Sequence, residues 1–387
     1  MAETLPGQRQ GPLRGLRVLE FAGIGPAPFC GMLLSDLGAD VLRIDRPGTV
    51  GGEPSDVTAR GRRSVVMNLK SPEAVDAALN LLESADVLIE GFRPGVMERL
   101  GLGPSVALKR NRALVYGRMT GWGQDGPWAH AAGHDLNYIA LSGALSAIGT
   151  RDKPVAPLNL IGDYGGGALY LAFGVVSAVL YARETGVGQI VDAAMSDGAA
   201  SLMSLFFGFK AAGNWREERA SNLLDGGAYF YDTYQCADGK WISLAAIEPQ
   251  FRAELLRRIG IDDPAFEPQS DDPQAWASLR VKLADVIMLK SQAEWCEVLG
   301  GTDACYAPVL TLEEAVAHPH NRARQTFVEI AGVVQPAPAP RFSASPGAVQ
   351  GPPPAIGRHN EEALVDWGFS HEAIERLRGA GALWGPS

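Results

Sequence analysis

The sequence predicts an α/β protein with a large parallel-sheet domain and a smaller α+β domain. Three observations carry this. Residues 16–21, a glycine turn, an apolar helix over 28–37 and residues 41–45 make a strand–helix–strand unit, the seed of a parallel sheet. Strand candidates at 64–69, 87–91, 113–120 and 188–193 then alternate with helical stretches. From residue 228 the pattern changes to a hairpin followed by helices, and 387 residues exceed one comfortable core.

Residues 1–12 are polar, contain Gly and Pro, have no apolar signal-type stretch, and read as a disordered leader. The first strand ends in Ala22-Gly23-Ile24-Gly25-Pro26. Gly23-x-Gly25 resembles the start of a dinucleotide fingerprint, with Asp45 at the spacing of a ribose contact. The third glycine position holds Pro28, however, and Arg43 and Arg46 flank Asp45, which favours a ligand with phosphate near the ribose over NAD. Other strands also end beside cations. Lys70 follows Met67-Asn68-Leu69, Arg93 follows Glu90-Gly91-Phe92, and Arg99 lies a little beyond. Open α/β sheets bind ligands outside the carboxyl ends of their strands, so Arg43, Lys70, Arg93 and Arg99 are candidates to converge on an anion. Singly, each is also an ordinary surface charge.

Gly133-His134-Asp135-Leu136-Asn137-Tyr138 opens an apolar run, 139–148, suited to a packed helix. Asp163 stands before Gly165-Gly166-Gly167 and a second apolar helix over 169–181. An imidazole and a carboxylate at two helix starts are the residue types for acid/base chemistry, and equally for two helix caps. Residues 196–212 read as helix and 214–227 as linker. Strands over 228–234 and 241–246 flank the turn Ala237-Asp238-Gly239. Helices follow over 249–259, 272–288 (Asp272 as cap, Pro273 at the first position) and 291–299. A Pro/Ala-rich extended stretch, 335–354, precedes two short helices over 361–367 and 370–377, the second capped by Ser370. The expected layout is 1–195 in the large domain, 196–227 a linker, 228–316 the small domain, 317–337 a second linker, and 338–387 returning to the large domain.

A net charge of −10 argues against a dedicated nucleic-acid or membrane-surface binder, so an anionic ligand needs a local basic cluster. The four cysteines, Cys30, Cys236, Cys296 and Cys305, contain no CxxC pair, which speaks against zinc, redox and secretory disulfide frameworks. His318-Pro319-His320 lacks a nearby third ligand, and no metal is expected. The richest apolar segment, 169–181, falls short of spanning length. A cytoplasmic protein is expected.

Several stretches carry a resemblance. Residues 16–47, Ala85-Asp86-Val87-Leu88-Ile89-Glu90-Gly91-Phe92-Arg93-Pro94-Gly95-Val96 and Gly121-Trp122-Gly123-Gln124 resemble the class III CoA-transferase family. The stretch 133–138, Pro157-Leu158-Asn159-Leu160, Asn222-Leu223-Leu224-Asp225-Gly226-Gly227 and Ala246-Ile247-Glu248-Pro249-Gln250-Phe251 resemble its 2-methylacyl-CoA racemase branch, over about 13–342. The resemblance implies a Rossmann-like large domain, a small domain, and two chains interlocked as a homodimer with the active site between them. It implies inversion of the α-carbon of 2-methyl-branched acyl-CoA thioesters, with His134 and Asp163 as the two acid/base groups and Glu248 paired with the histidine. It implies no metal or redox cofactor, CoA being part of the substrate. Arg43, Lys70, Arg93, Arg99 and the 133–138 stretch, including Gly133, Asn137 and Tyr138, would contact CoA, with Met67, Gly91 and Phe92 beside them.

The residues support this reading on their own terms. An α-proton beside a thioester is weakly acidic, so the enolate needs electrostatic help. Backbone N–H groups at the helix start near Asp135 are placed to give it. The helix dipole disfavours a protonated His134 and a Glu248 carboxylate favours one, which together suit a reversible base. Asp163 must alternate between acid and base, which requires an apolar setting. The rival is a CoA-transferase of the same fold with Asp163 as nucleophile, which has no need of the histidine. An NAD-dependent dehydrogenase and a non-catalytic acyl-CoA binder are the readings from other classes.

Overall fold

Residues 9–266 and 273–385 are described by a computed structural model, and they divide into two units. Unit one comprises residues 9–142, 158–202 and 325–385, and unit two residues 143–157, 203–266 and 273–324. The segment 143–157 thus joins the second unit, which the expected layout did not anticipate.

Unit one is organised by β1 (Arg17–Phe21), β2 (Asp40–Asp45), β3 (Arg63–Met67), β4 (Val87–Glu90), β5 (Val115–Thr120) and β6 (Ile190–Ala194). They pair in parallel in the order β3-β2-β1-β4-β5-β6. This is the Rossmann-like order, whose topological switch lies between β1 and β4. The first five strands are buried along almost their whole length, as a sheet covered on both faces must be. Alternate residues feed two cores. Leu19, Leu42, Val65, Leu88 and Tyr116 face one, while Val18, Val41, Val87, Ile89 and Val115 face the other.

Prolines open α1 (Pro26–Asp36), α2 (Pro72–Ser84) and, after the short α3 (Val96–Arg99), α4 (Pro104–Arg110). Proline suits this first position because its missing N–H has no partner there anyway. The apolar run after His134 is not one helix. It is α5 (Asp135–Leu141), broken by Gly143 at φ 87°, and then the single turn α6 (Ala144–Ala147), which belongs to unit two.

Asp163 is not a cap. It lies within a π-helical stretch, Leu160–Ala168, that runs without interruption into α7 (Leu169–Thr185). The glycines read as a break are close-approach sites instead. A Cβ on Gly166 would meet the backbone of Ala199 in α8 (Met195–Leu202) at 2.6 Å, and one on Gly167 would stand 3.2 Å from Pro26. The continuous helix, Leu160–Thr185, has 26 residues and is long and apolar enough to cross a membrane, contrary to expectation. Its Leu171, Val175, Ala178, Val179 and Ala182 are buried in the core shared with β5.

In unit two, the expected helix over 196–212 continues after α8 as α9 (Ser204–Ala211). The sheet is antiparallel, β7 (Tyr231–Gln235), β8 (Trp241–Ala245) and β9 (Tyr306–Val309). Around it stand α10 (Pro249–Ile259), α11 (Trp276–Ile287), α12 (Gln292–Leu299), α13 (Leu312–Ala317) and α14 (Pro319–Ala323). The expected cap of α11, Asp272, lies outside the described residues, and the helix starts at Trp276. Asn222 and Asp225 spend their side chains on local backbone, and Arg280 donates to the carbonyls of Gly226 and Gly227. That stretch is therefore a structural wrap.

The chain returns to unit one through the hairpin β10 (Phe327–Ile330) and β11 (Val333–Pro336). Two short helices follow, α15 (Glu362–Asp366) and α16 (His371–Gly379), and Ser370 caps the second as expected. The two-residue strand β12 (Leu383–Trp384) pairs antiparallel to β3 and covers the sheet edge.

Candidate active site

The crevice at the switch point is occupied by side chains from several strand ends. The loop after β1 brings Ile24, Gly25 and Pro26, and the loop after β4 brings Gly91, Phe92, Arg93 and Pro94. The end of β5 brings Met119, Thr120, Gly121 and Trp122. With Gly133, His134, Tyr138, Asp163 and Met195 they line a cavity of about 470 Å³.

Each wall has a local cause. The start of α1 is held from below by a wholly buried ion pair, Arg62 to Glu20 at 3.0 Å, with Arg62 also donating to the carbonyls of Pro28 and Thr58. The Phe92 N–H donates to Glu90 at 2.7 Å, and Glu90 is held by Arg118 at 2.9 Å, which orders the loop that presents Arg93. Trp122 sits edge-on to both Tyr138 and Trp128, with ring centroids at 4.7 and 5.0 Å. The Tyr138 hydroxyl donates to the Gly133 carbonyl, so Tyr138 braces the wall.

His134 is the exposed N-cap residue of α5, and its backbone N–H donates to the side chain of Asn137 at 3.0 Å. The expected ligand contact Asn137 therefore serves first to orient the histidine's backbone. Asp163 is half-buried. Its carboxylate accepts from the Asn159 side chain at 3.2 Å, and a Cβ on Gly25 would lie 3.6 Å from its Oδ2. The glycine turn that resembled a dinucleotide loop is thus the lid over this carboxylate. Burial pushes the Asp163 carboxyl up, the Asp135 charge adds to this, and the Asn159 bond and His134 oppose it. Burial and the Asp163 charge likewise raise the Tyr138 phenol, against the pull of Arg93.

Asp135 does not open into the cavity. Its side chain turns inward, 7% exposed, and Oδ1 accepts the backbone N–H of Asp163 at 2.6 Å. Oδ2 is buried with no hydrogen bond among the described residues. An unsatisfied buried acceptor costs about 1–3 kcal/mol. A carboxylate in a helix's first turn recovers only about 0.3–1 kcal/mol from the helix dipole.

Of the four predicted cations, Arg93 alone lines the cavity. Arg43 is buried in an ion pair with Asp45 at 3.0 Å, because that carboxylate, also bonded by Ser64 at 2.6 Å, is the nearest counter-charge under the strand ends. This occupies the carboxylate that a ribose would need. Lys70 and Arg99 are exposed outside the cavity lining. Met67 is 1% exposed and packs in the core, since its position in β3 points it inward. Glu248 is the exposed N-cap residue of α10 in unit two and makes no side-chain bond among the described residues.

Asn159 escaped sequence reading as a contributor, and Asp135, expected among the catalytic residues, contributes by a side chain turned inward onto the Asp163 backbone. Asn159 stands four residues before Asp163, a helical spacing that the expected helix start at 169 concealed.

A Rossmann-like sheet with a carboxylate and an imidazole in a cavity at its switch point defines an α/β enzyme whose candidate site lies outside the strand ends. The family model for CoA-transferase family III matches residues 13–360, and the chain belongs to that family. It is 44% identical over 368 residues to the alpha-methylacyl-CoA racemase of Mus musculus, covering 94% of this chain and 96% of the relative. It is also 44% identical over 372 residues to the alpha-methylacyl-CoA racemase of Homo sapiens, with the same coverage. Among solved structures, the Mycobacterium tuberculosis protein Rv3272 superposes with a TM-score of 0.78 at 28% identity, covering 92% of this chain and all of that one.

Proposed function

We propose that the protein is a racemase that inverts the α-carbon of 2-methyl-branched acyl-CoA thioesters by 1,1-proton transfer. The observation that carries this is the placement of His134 and Asp163 in one cavity, with the Asp163 carboxyl pushed up by burial, as suits a group that must both accept and donate a proton. One group removes the α-proton, the electron pair passes onto the thioester oxygen, and the other group returns a proton to the opposite face. Backbone N–H groups at the start of α5 stabilise the enolate oxygen. The likeness to two racemases at 44% identity supports the same activity.

Arg93, with Gly91, Phe92 and Gly133, is assigned to the CoA ester near the thioester. Lys70 and Arg99 are assigned to the phosphates, which extend beyond a cavity of this size. We further propose a homodimer in which Glu248 pairs with His134. Its support is an apolar stripe on α7, Leu169, Phe173 and Leu180, spaced to share one helix face and left exposed, Phe173 by 75%.

The competing reading is a CoA-transferase with Asp163 as nucleophile. Incubation with a 2-methylacyl-CoA and a different free carboxylic acid separates the two. Epimerisation without a new thioester is expected, whereas formation of the exchanged CoA ester without epimerisation would replace the racemase reading with the transferase.

A further inference from the structure

We propose that the Asp135 side chain is a positioning residue for the reaction, a fixed buried carboxylate that holds Asp163 by its backbone and keeps a negative charge beside it. This rests on the racemase reading and gives the side chain a role distinct from that of the neighbouring backbone N–H groups.

The geometry is specific. Oδ1 takes the Asp163 N–H at 2.6 Å, and Gly162 is pressed so close that a Cβ there would stand 2.5 Å from the same oxygen. Any side chain at residue 162 would displace the contact. An asparagine at 135 would accept the same N–H with its own carbonyl oxygen. The hydrogen bond therefore accounts for an acceptor at this position but not for a charge. The charge is costly, since Oδ2 is buried without a hydrogen bond, and the helix start recovers less than that cost. A local violation of this kind is expected where function uses it.

The use is electrostatic. The groups facing the Asp163 carboxyl are Asp135, His134 and Tyr138 from α5, Asn159 from its own helix, and the uncharged Gly25 from the start of α1, with Arg93 acting on Tyr138 from the loop after β4. Asp135 supplies the negative charge in this set and pushes the Asp163 carboxyl up alongside burial. A group that takes a proton from one epimer and returns one to the enolate formed from the other needs that push, because an ordinary surface aspartate stays ionised at neutral pH and is a poor donor.

The test is the pH dependence of α-hydrogen exchange into solvent from each epimer of a 2-methylacyl-CoA, for wild type, Asp135→Asn and Asp135→Ser. Both substitutions keep an acceptor for the Asp163 N–H and remove the charge. With the epimer from which Asp163 abstracts, the acid limb should move to lower pH. With the epimer from which His134 abstracts, Asp163 must be protonated to return the proton, so the alkaline limb should move to lower pH and the rate at neutral pH should fall. Limbs that stay in place while rates drop uniformly would make Asp135 a structural residue and overturn the proposal, as would loss of folding in both variants. Absence of exchange in the wild-type protein would overturn the racemase reading and this role with it. Exchange by wild type with unmoved limbs in the variants overturns the role of Asp135 alone.

Discussion

Asn159 and Asp163 stand one helical turn apart, and the side-chain amide of Asn159 donates to Oδ2 of Asp163 at 3.2 Å. This bond favours the ionised carboxylate, against burial and the Asp135 charge. Asn159→Ala removes the donor, so the Asp163 carboxyl rises further. With the epimer from which Asp163 abstracts, the acid limb of turnover should move to higher pH, the opposite sense to Asp135→Asn. A pH–rate profile for that epimer checks the sign.

Arg93 and Arg43 separate binding from stability. Arg93 is exposed and lines the cavity, so Arg93→Ala should raise KM for an acyl-CoA with little change in kcat, more strongly at low salt. Arg43→Ala leaves Asp45 buried with Ser64 as its remaining side-chain partner and should cost about 3–5 kcal/mol of stability. Denaturant melts of both variants, beside their kinetics, distinguish the two effects.

Gly166 and Gly186 make a matched pair for the π-helical stretch. Gly186, at the end of α7 with φ 71°, has open space around it, so Gly186→Ala should cost about 1–2 kcal/mol from backbone strain alone. Gly166→Ala puts a methyl group 2.6 Å from the Ala199 backbone and should cost more, because α8 must shift. The shift also moves the helix that carries Asp163, so activity should fall beyond what instability explains. Thermal melting and specific activity of the folded fraction measure both.

The sheet was legible because its strands are short, apolar runs buried on both faces and bounded by glycine or polar turns. The helix start at Pro249 was legible from proline chemistry, whereas the first helix starts at Pro26, two residues before the expected start at 28. His134 and Asp163 were legible from residue type and from the resemblance. Helix continuity at 160–185 was hidden, because Asp163 and three glycines look like a break to local propensity, whereas tight packing against α8 and α1 makes the glycines necessary. The fates of Arg43 and Met67 depend on which neighbour is nearest in space, Asp45 for one and the core for the other, and linear order does not encode that. The inward turn of Asp135 was missed for the same reason, as its partner lies 28 residues ahead.

The central claim is that His134 and Asp163 serve opposite faces of one α-carbon. The most direct measurement is deuterium uptake at C2 of separate (2R)- and (2S)-2-methylacyl-CoA in deuterated water, followed together with optical purity. Wild type should label and epimerise both. His134→Ala should lose abstraction from one epimer and Asp163→Ala from the other, each by about two to four orders of magnitude. Equal, small losses from both substitutions would contradict the account.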